Sequence, residues 1–236
     1  MKPTVLLFDI DGTLLHCDHA GRRAMEFAFR EVTGKSEGLD FSFAGMTDRK
    51  IVGQALARTN HPAHARADLR ERFIDEVLGL YLERLAEELR QAEHYRVLPG
   101  VEALLKRLVG QVNIALGLGT GNVEAGAELK LAQGGLDRYF EFGGFGSDHE
   151  ERAELLRIGV ERGCARLGRP REECSVLVIG DTPKDVEAAE AIGVPCLGVC
   201  TGNFGAEELY AAGATWVAES LDAAVIRHVF PKLDLS

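Results

Sequence analysis

The chain has 236 residues and a mass of 25.7 kDa, with 46% apolar and 27% charged residues. This suits one large domain, or a main domain with an insertion, and excludes a disordered chain. Lys and Arg number 27 against 37 Asp and Glu, a net charge of −10, which argues against a nucleic-acid or anionic-membrane partner.

From the N-terminus, residues 4–8 form a short apolar run that Asp9 ends, too short for a signal-peptide core. Together with 112–118 and 176–179 it reads as a buried parallel strand, each run closing on a Gly or Asp turn. Weaker strand candidates are 139–142, 195–199 and 215–217, with helical patterns at 101–109, 151–167, 186–192 and 206–212. The alternation predicts an α/β fold, a doubly wound parallel sheet. Residues 16–96 break the pattern: no strand run is visible, and 22–33, 49–59 and 66–89 read as helices. A crossover needs roughly a dozen residues, so this stretch is read as an inserted α-helical cap domain. The core is then 1–15 plus 97–236. The tail after Leu221 reads as one more short helix. No apolar run approaches the roughly 20 residues of a membrane span. Five cysteines without metal-site spacing suggest reduced thiols in a cytoplasmic protein. Oligomeric state is open between monomer and homodimer.

Ligands of doubly wound sheets bind beyond the carboxyl ends of the strands. Those ends carry Asp9-Ile10-Asp11-Gly12-Thr13, Gly119-Thr120-Gly121-Asn122, and Gly180-Asp181-Thr182-Pro183-Lys184-Asp185. A lone Asp185 or Thr120 is explained by a turn or a helix cap. Asp9 and Asp11 are not, because two acids two apart after a buried strand repel one another and lose hydration. A hard cation removes that repulsion. An all-oxygen set of Asp9, Asp11 and Asp181, with no His or Cys nearby, points to Mg²⁺. Such an ion shares its shell with substrate phosphate. One carboxylate can then attack phosphorus, and a second can protonate the leaving oxygen and afterwards activate water. The Thr120 hydroxyl and the backbone N–H groups around Gly12 and Gly121 can bind the phosphoryl oxygens.

The segment Phe8-Asp9-Ile10-Asp11-Gly12-Thr13-Leu14 resembles the first signature of the haloacid dehalogenase superfamily of phosphohydrolases. Thr120 is similar to the second signature, and Gly180-Asp181-Thr182-Pro183-Lys184-Asp185 to the fourth. Residues 198–221 further resemble the phosphoglycolate phosphatase-like branch. The resemblance implies Asp9 as nucleophile and metal ligand. It implies Asp11 as general acid/base with its backbone carbonyl on the metal, and Asp181 as third protein ligand. Asp185 would orient metal-bound water or a neighbouring group, and Thr120 would bind the transferring phosphoryl. The family's third signature is a Lys, and residues 147–154 contain none. Arg152 substitutes by position, with Arg157 in reserve, and Lys184 sits close by within the fourth motif. Asn122 beside Gly121 is a further substrate-binding candidate. In the cap, Thr47 and Asp48 suit a helix start, leaving Arg49 or Lys50 to read an anionic substrate tail. His16, His19 and Arg22 are candidates for lining the cap hinge.

The expected function is a Mg²⁺-dependent phosphatase for a small phosphorylated metabolite. Because the dehalogenase branch lacks an acid at the position of Asp11, dehalogenation is disfavoured. The alternatives are a phosphosugar mutase of β-phosphoglucomutase type, and a non-enzymatic phospho-acceptor such as a signalling receiver. A receiver is about half this length and has no inserted helical unit.

Overall fold

The structure is a computed structural model and describes residues 2–222. The strand β1 (Thr4–Phe8) is buried at every position and lies in the middle of a six-stranded sheet. Its neighbours are β4 (Ile114–Thr120) and β6 (Ser175–Gly180), both parallel to it. Outside them lie β5 (Gly143–Phe145) on one side, and β7 (Cys196–Val199) and β8 (Trp216–Ala218) on the other. The order is β5-β4-β1-β6-β7-β8, with every pairing parallel. Central strands read as continuous apolar runs because both faces are covered.

Alternation along β1 divides the core in two. Val5 and Leu7 face α6 (Arg152–Arg166), α7 (Pro183–Ala191) and α8 (Ala206–Ala211) through Leu155, Leu156, Val186 and Leu209. Leu6 and Phe8 face α4 (Val101–Leu108) and α5 (Glu124–Gln133) through Leu104, Leu105, Ala127 and Leu131. The second cluster continues without a break into α1 (Ala20–Thr33), α2 (Asp48–Arg58) and α3 (Ala67–Gln91). There α1 and α2 pack on α3, and α3 packs on α5. The three helices are spliced between β2 (Leu15–His16) and β3 (Arg96–Val97), which pair antiparallel. The segments leading into and out of the helical unit are therefore tied to each other. Asp18 and His19, just beyond β2, both have left-handed backbone, with φ of 51° and 57°. That conformation is uncommon outside glycine.

Several sequence expectations shift. The strand expected at 139–142 is a 3₁₀ turn (Asp137–Tyr139), and the strand lies one step later at Gly143–Phe145. The ribbon β2–β3 and the helix α5 were not anticipated. The helix expected after Leu221 lies outside the described residues. All five cysteines are free, and no described helix is long and apolar enough to cross a membrane.

Candidate active site

Asp9 and Asp11 leave β1, Thr120 ends β4, and Asp181 follows β6. Parallel pairing in register brings these three strand ends to one rim. They line a single cavity of about 700 Å³ with Arg152 and with residues of the helical insertion, among them Arg22, Phe43, Met46 and Tyr81.

Carboxylate oxygens of Asp9, Asp181 and Asp185 all lie within 4.8 Å of one another, and all three residues are buried. Burial, opposed by Arg152 and reinforced by Asp185 and Asp11, pushes Asp9 up to about 6. Burial, then the charges of Asp185 and Asp9, raise Asp181 well above the carboxylate range. Three clustered acids this short of countercharge fit a divalent cation, and oxygen donors suit a hard one. Among the described residues these three carboxylates lie close enough to share one ion; the Asp11 carboxylate, expected in the set, is not among them, and Asp185 is. Asp181 also accepts a hydrogen bond from the Thr13 hydroxyl at 3.1 Å. The loop after β1 is built around Asp181. Gly12 has φ +84°, and a Cβ there would lie 2.3 Å from Asp181 Oδ2, so no other residue fits without displacing that carboxylate.

Arg152 opens α6 with its side chain 8% exposed. Its Nη2 stands 3.0 Å from Asp9 Oδ1 and also pairs with Asp185. Burial works against its charge, but Asp185 and Asp9 outweigh it and raise its pKa. Its Nε is buried without a hydrogen-bond partner, the one such side-chain atom among the described residues. An unfilled guanidinium donor beside the cavity suits an anionic oxygen. Both oxygens of Asp185 are engaged, with acceptor capacity left over: Arg152 meets Oδ1, while Oδ2 accepts from Thr182 backbone N at 3.1 Å and Thr182 Oγ1 at 2.7 Å. This capping box starts α7.

Asp11 is turned elsewhere. Its Oδ2 accepts from Lys130 Nζ at 2.6 Å and Asn122 Nδ2 at 2.9 Å, and Cys17 Sγ lies 3.4 Å from Oδ1. Burial alone would raise Asp11, but Lys130, Asn122 and Cys17 hold it below its ordinary value. Thr120 Oγ1 accepts from the backbone N and side-chain Nδ2 of Asn122, so its own proton is committed to neither bond.

Other sequence candidates stand differently. Asn122 lines the cavity, but its amide is spent on Asp11, Thr120 and Lys130. Arg49 faces away, paired with Asp75 at 2.7 Å and Glu71 at 2.5 Å. Lys50 pairs with Glu151 at 2.9 Å. Neither lines the cavity; on α2 that position falls to Asp48 and Ile51. The cations were drawn off by acids remote in sequence. Arg157 is paired with Glu154 on the surface. Lys184 is exposed and packs beside Gly45 rather than lining the cavity. Gly121 does lie at the site, and its role is close approach: a Cβ there would come 2.1 Å from Met46 O. Its carbonyl accepts from Asp48 N at 2.8 Å, which docks the start of α2 on the loop after β4. His16 Nε2 donates to the carbonyl oxygen of Thr201 at 3.0 Å. His16, His19 and Arg22 all line the cavity at its insertion side. Lys130 and Asp48 were missed. Lys130 lies on a helix that was not anticipated, and Asp48 was read only as part of a helix start, which Thr47 does cap by accepting from Lys50 N.

A family model for haloacid dehalogenase-like hydrolases matches residues 3–193. Probable phosphatase IndB of Dickeya dadantii is 28% identical over 246 residues, covering 100% of this chain and 98% of that protein. Phosphoglycolate phosphatase of Pseudomonas syringae pv. tomato is 28% identical over 206 residues, covering 85% of this chain and 70% of that protein. The solved β-phosphoglucomutase of Clostridium difficile shares the fold, with a TM-score of 0.70 at 20% identity over 99% of this chain and 97% of that one. The family match spans well over half of the sequence and takes in every carboxylate of the buried cluster; the chain belongs to the haloacid dehalogenase-like hydrolases.

Proposed function

We propose that the protein is a Mg²⁺-dependent phosphatase that hydrolyses a small-metabolite phosphomonoester through a phosphorylated Asp9. The observation that carries the reading is Arg152, a buried cation set against Asp9 in a cluster of three buried carboxylates. Asp9, Asp181 and Asp185 would hold Mg²⁺, and the ion would supply positive charge that offsets the anionic nucleophile and phosphoryl group. Asp9 attacks phosphorus, and the bond to the leaving oxygen breaks as that oxygen takes a proton from Asp11. In the second half, water gives a proton to Asp11 and attacks the same phosphorus, releasing phosphate and restoring Asp9. The ground state favours Asp11 as carboxylate, the form the second half needs. A phosphoryl dianion beside it raises its proton affinity again, which serves the first half. Arg152 and the Thr120 hydroxyl offer donors to the phosphoryl oxygens.

Residues 16–96 act as a cap in this reading, excluding bulk water during transfer. The cavity of about 700 Å³ suits a small metabolite. Relatives named phosphoglycolate phosphatase make 2-phosphoglycolate the first substrate to try. Free, mostly buried thiols fit a reducing cytoplasm. A phosphosugar mutase is the second reading, favoured by the fold match to β-phosphoglucomutase.

The test is a panel of phosphorylated metabolites, including 2-phosphoglycolate and hexose phosphates, incubated with the protein and Mg²⁺. Net phosphate release, lost in Asp9→Asn, supports the phosphatase. Isomerisation of a sugar phosphate without release supports the mutase, and neither activity overturns both.

A further inference from the structure

The chemistry above leaves Lys130 unused. It stands on α5, and its side chain is 5% exposed. The ammonium reaches Asp11 Oδ2 at 2.6 Å and Asn122 Oδ1 at 2.7 Å. Asn122 Nδ2 reaches the same Asp11 oxygen at 2.9 Å, so the three side chains close a ring of bonds. The space for the ammonium is shaped from the insertion side: a Cβ at Gly21 would lie 3.3 Å from Lys130 Nζ. Burying an ammonium costs several kcal/mol unless it is paired. An apolar side chain in this space would need no such pairing. The ion pair therefore has a purpose other than packing. Asp11 is absent from the set formed by Asp9, Asp181 and Asp185, although only Ile10 separates it from Asp9. Its carboxylate is instead bonded to Lys130 and Asn122.

We infer that Lys130 is a positioning residue which, with Asn122, keeps the Asp11 carboxylate out of the cation-binding cluster and oriented for proton transfer with the leaving oxygen and with water. The inference rests on the proposed phosphoryl transfer through Asp9. It differs from two simpler roles. A packing residue would affect all substrates alike, and a phosphate ligand would act independently of Asp11.

Leaving-group dependence separates these roles, because an activated aryl oxide departs without a proton and an alkoxide does not. First-turnover rates at saturating Mg²⁺ would be measured by rapid quench for an alkyl phosphate and for p-nitrophenyl phosphate. Lys130→Met is expected to slow the alkyl phosphate about 100-fold and p-nitrophenyl phosphate by less than about 5-fold. In an Asp11→Asn background, adding Lys130→Met is expected to leave the p-nitrophenyl phosphate rate within about twofold, since the two residues act as one unit. Equal slowing of both substrates would overturn the inference, as would a further tenfold loss in the Asp11→Asn background. If Lys130→Met alone fails to fold, the comparison of Asp11→Asn with the double variant decides, because the double variant leaves no unpaired charge. A wild type that never transfers phosphate to Asp9 defeats the proposed function and this inference together. A wild type that does so, with Lys130→Met slowing both substrates equally, defeats this inference alone.

Discussion

Arg152 Nη2 stands 3.0 Å from Asp9 Oδ1 while the same guanidinium pairs with Asp185, so one buried cation ties the end of β1 to the first turn of α7. The arrangement serves structure and chemistry together. Without Arg152, three buried carboxylates would face one another with no positive side chain among them. With it, the cluster carries one cation and has room for the charge of a metal and of a phosphoryl group.

Replacing this cation is therefore expected to do two things. Arg152→Ala should lower kcat by about 10²–10³-fold, the cost of removing a charged transition-state donor. It should also destabilise the protein by about 3–5 kcal/mol in the absence of metal, because buried carboxylates lose their partner. Arg152→Lys should recover part of the stability and less of the rate, since an ammonium keeps the charge that faces Asp9 and Asp185 but lacks the further guanidinium donors, Nε among them. Denaturant unfolding beside steady-state kinetics checks both; a full rate with Arg152→Ala would remove Arg152 from the chemistry.

The raised pKa of Asp9 makes a pH prediction whose sign is fixed. Asp9 binds its proton more tightly folded, near pH 6, than unfolded, near 3.8. Its protonated form thus contributes about 3 kcal/mol that is present below pH 4 and lost as pH rises through 6. In metal-free protein, stability of the wild type relative to Asp9→Asn should fall across that window. Mg²⁺ should restore it above pH 6, in the wild type much more than in the variant. Parallel melting curves for the two proteins at pH 4 and pH 7, with and without Mg²⁺, give the answer, and identical pH dependence would contradict it.

Arg49 and Lys50 supply a negative prediction. Both are engaged by acids on the outside of the cavity, at positions 71, 75 and 151. Arg49→Ala and Lys50→Ala should each change stability by less than about 1 kcal/mol, as exposed pairs do. Neither substitution should alter kcat/KM by more than about twofold on that scale. A large rise in KM for either would return the residue to the substrate.

Gly121 carries the contact between the start of α2 and the loop after β4. A Cβ placed 2.1 Å from Met46 O cannot be accommodated without displacing the inserted segment. Gly121→Ala should reduce kcat/KM on the order of 10–100-fold while leaving the sheet folded, because sub-ångström placement governs transfer rates. Circular dichroism beside kinetics distinguishes this from unfolding.

What the sequence disclosed follows from where its signals are strong. β1, β4 and β6 are short apolar runs closed by Gly or Asp, and buried parallel strands have few other spellings. The ends of those strands supplied Asp9, Thr120 and Asp181, and the helix start after 147–151 supplied Arg152. The helix α5 was invisible for a physical reason. Its buried positions, Gly126, Ala127, Lys130 and Leu131, include one aliphatic residue of size and one charge, so no apolar stripe appears. Lys130 was hidden with it. The ribbon β2–β3 has two residues per strand, too few for any period to show. Arg49 and Lys50 were misjudged because their acidic partners lie about 20 to 100 residues away, a pairing that only the fold creates.

In the proposed reaction Asp9 takes up the phosphoryl group beside a cation-binding set of carboxylates. Its most direct test is acid quench of the protein during turnover with Mg²⁺, followed by peptide mass mapping. One phosphoryl group is expected on Asp9, absent in Asp9→Asn and accumulating in Asp11→Asn with p-nitrophenyl phosphate as donor. Turnover of substrate with Asp9 unmodified at every time point, or with the phosphoryl group on another residue, would contradict it.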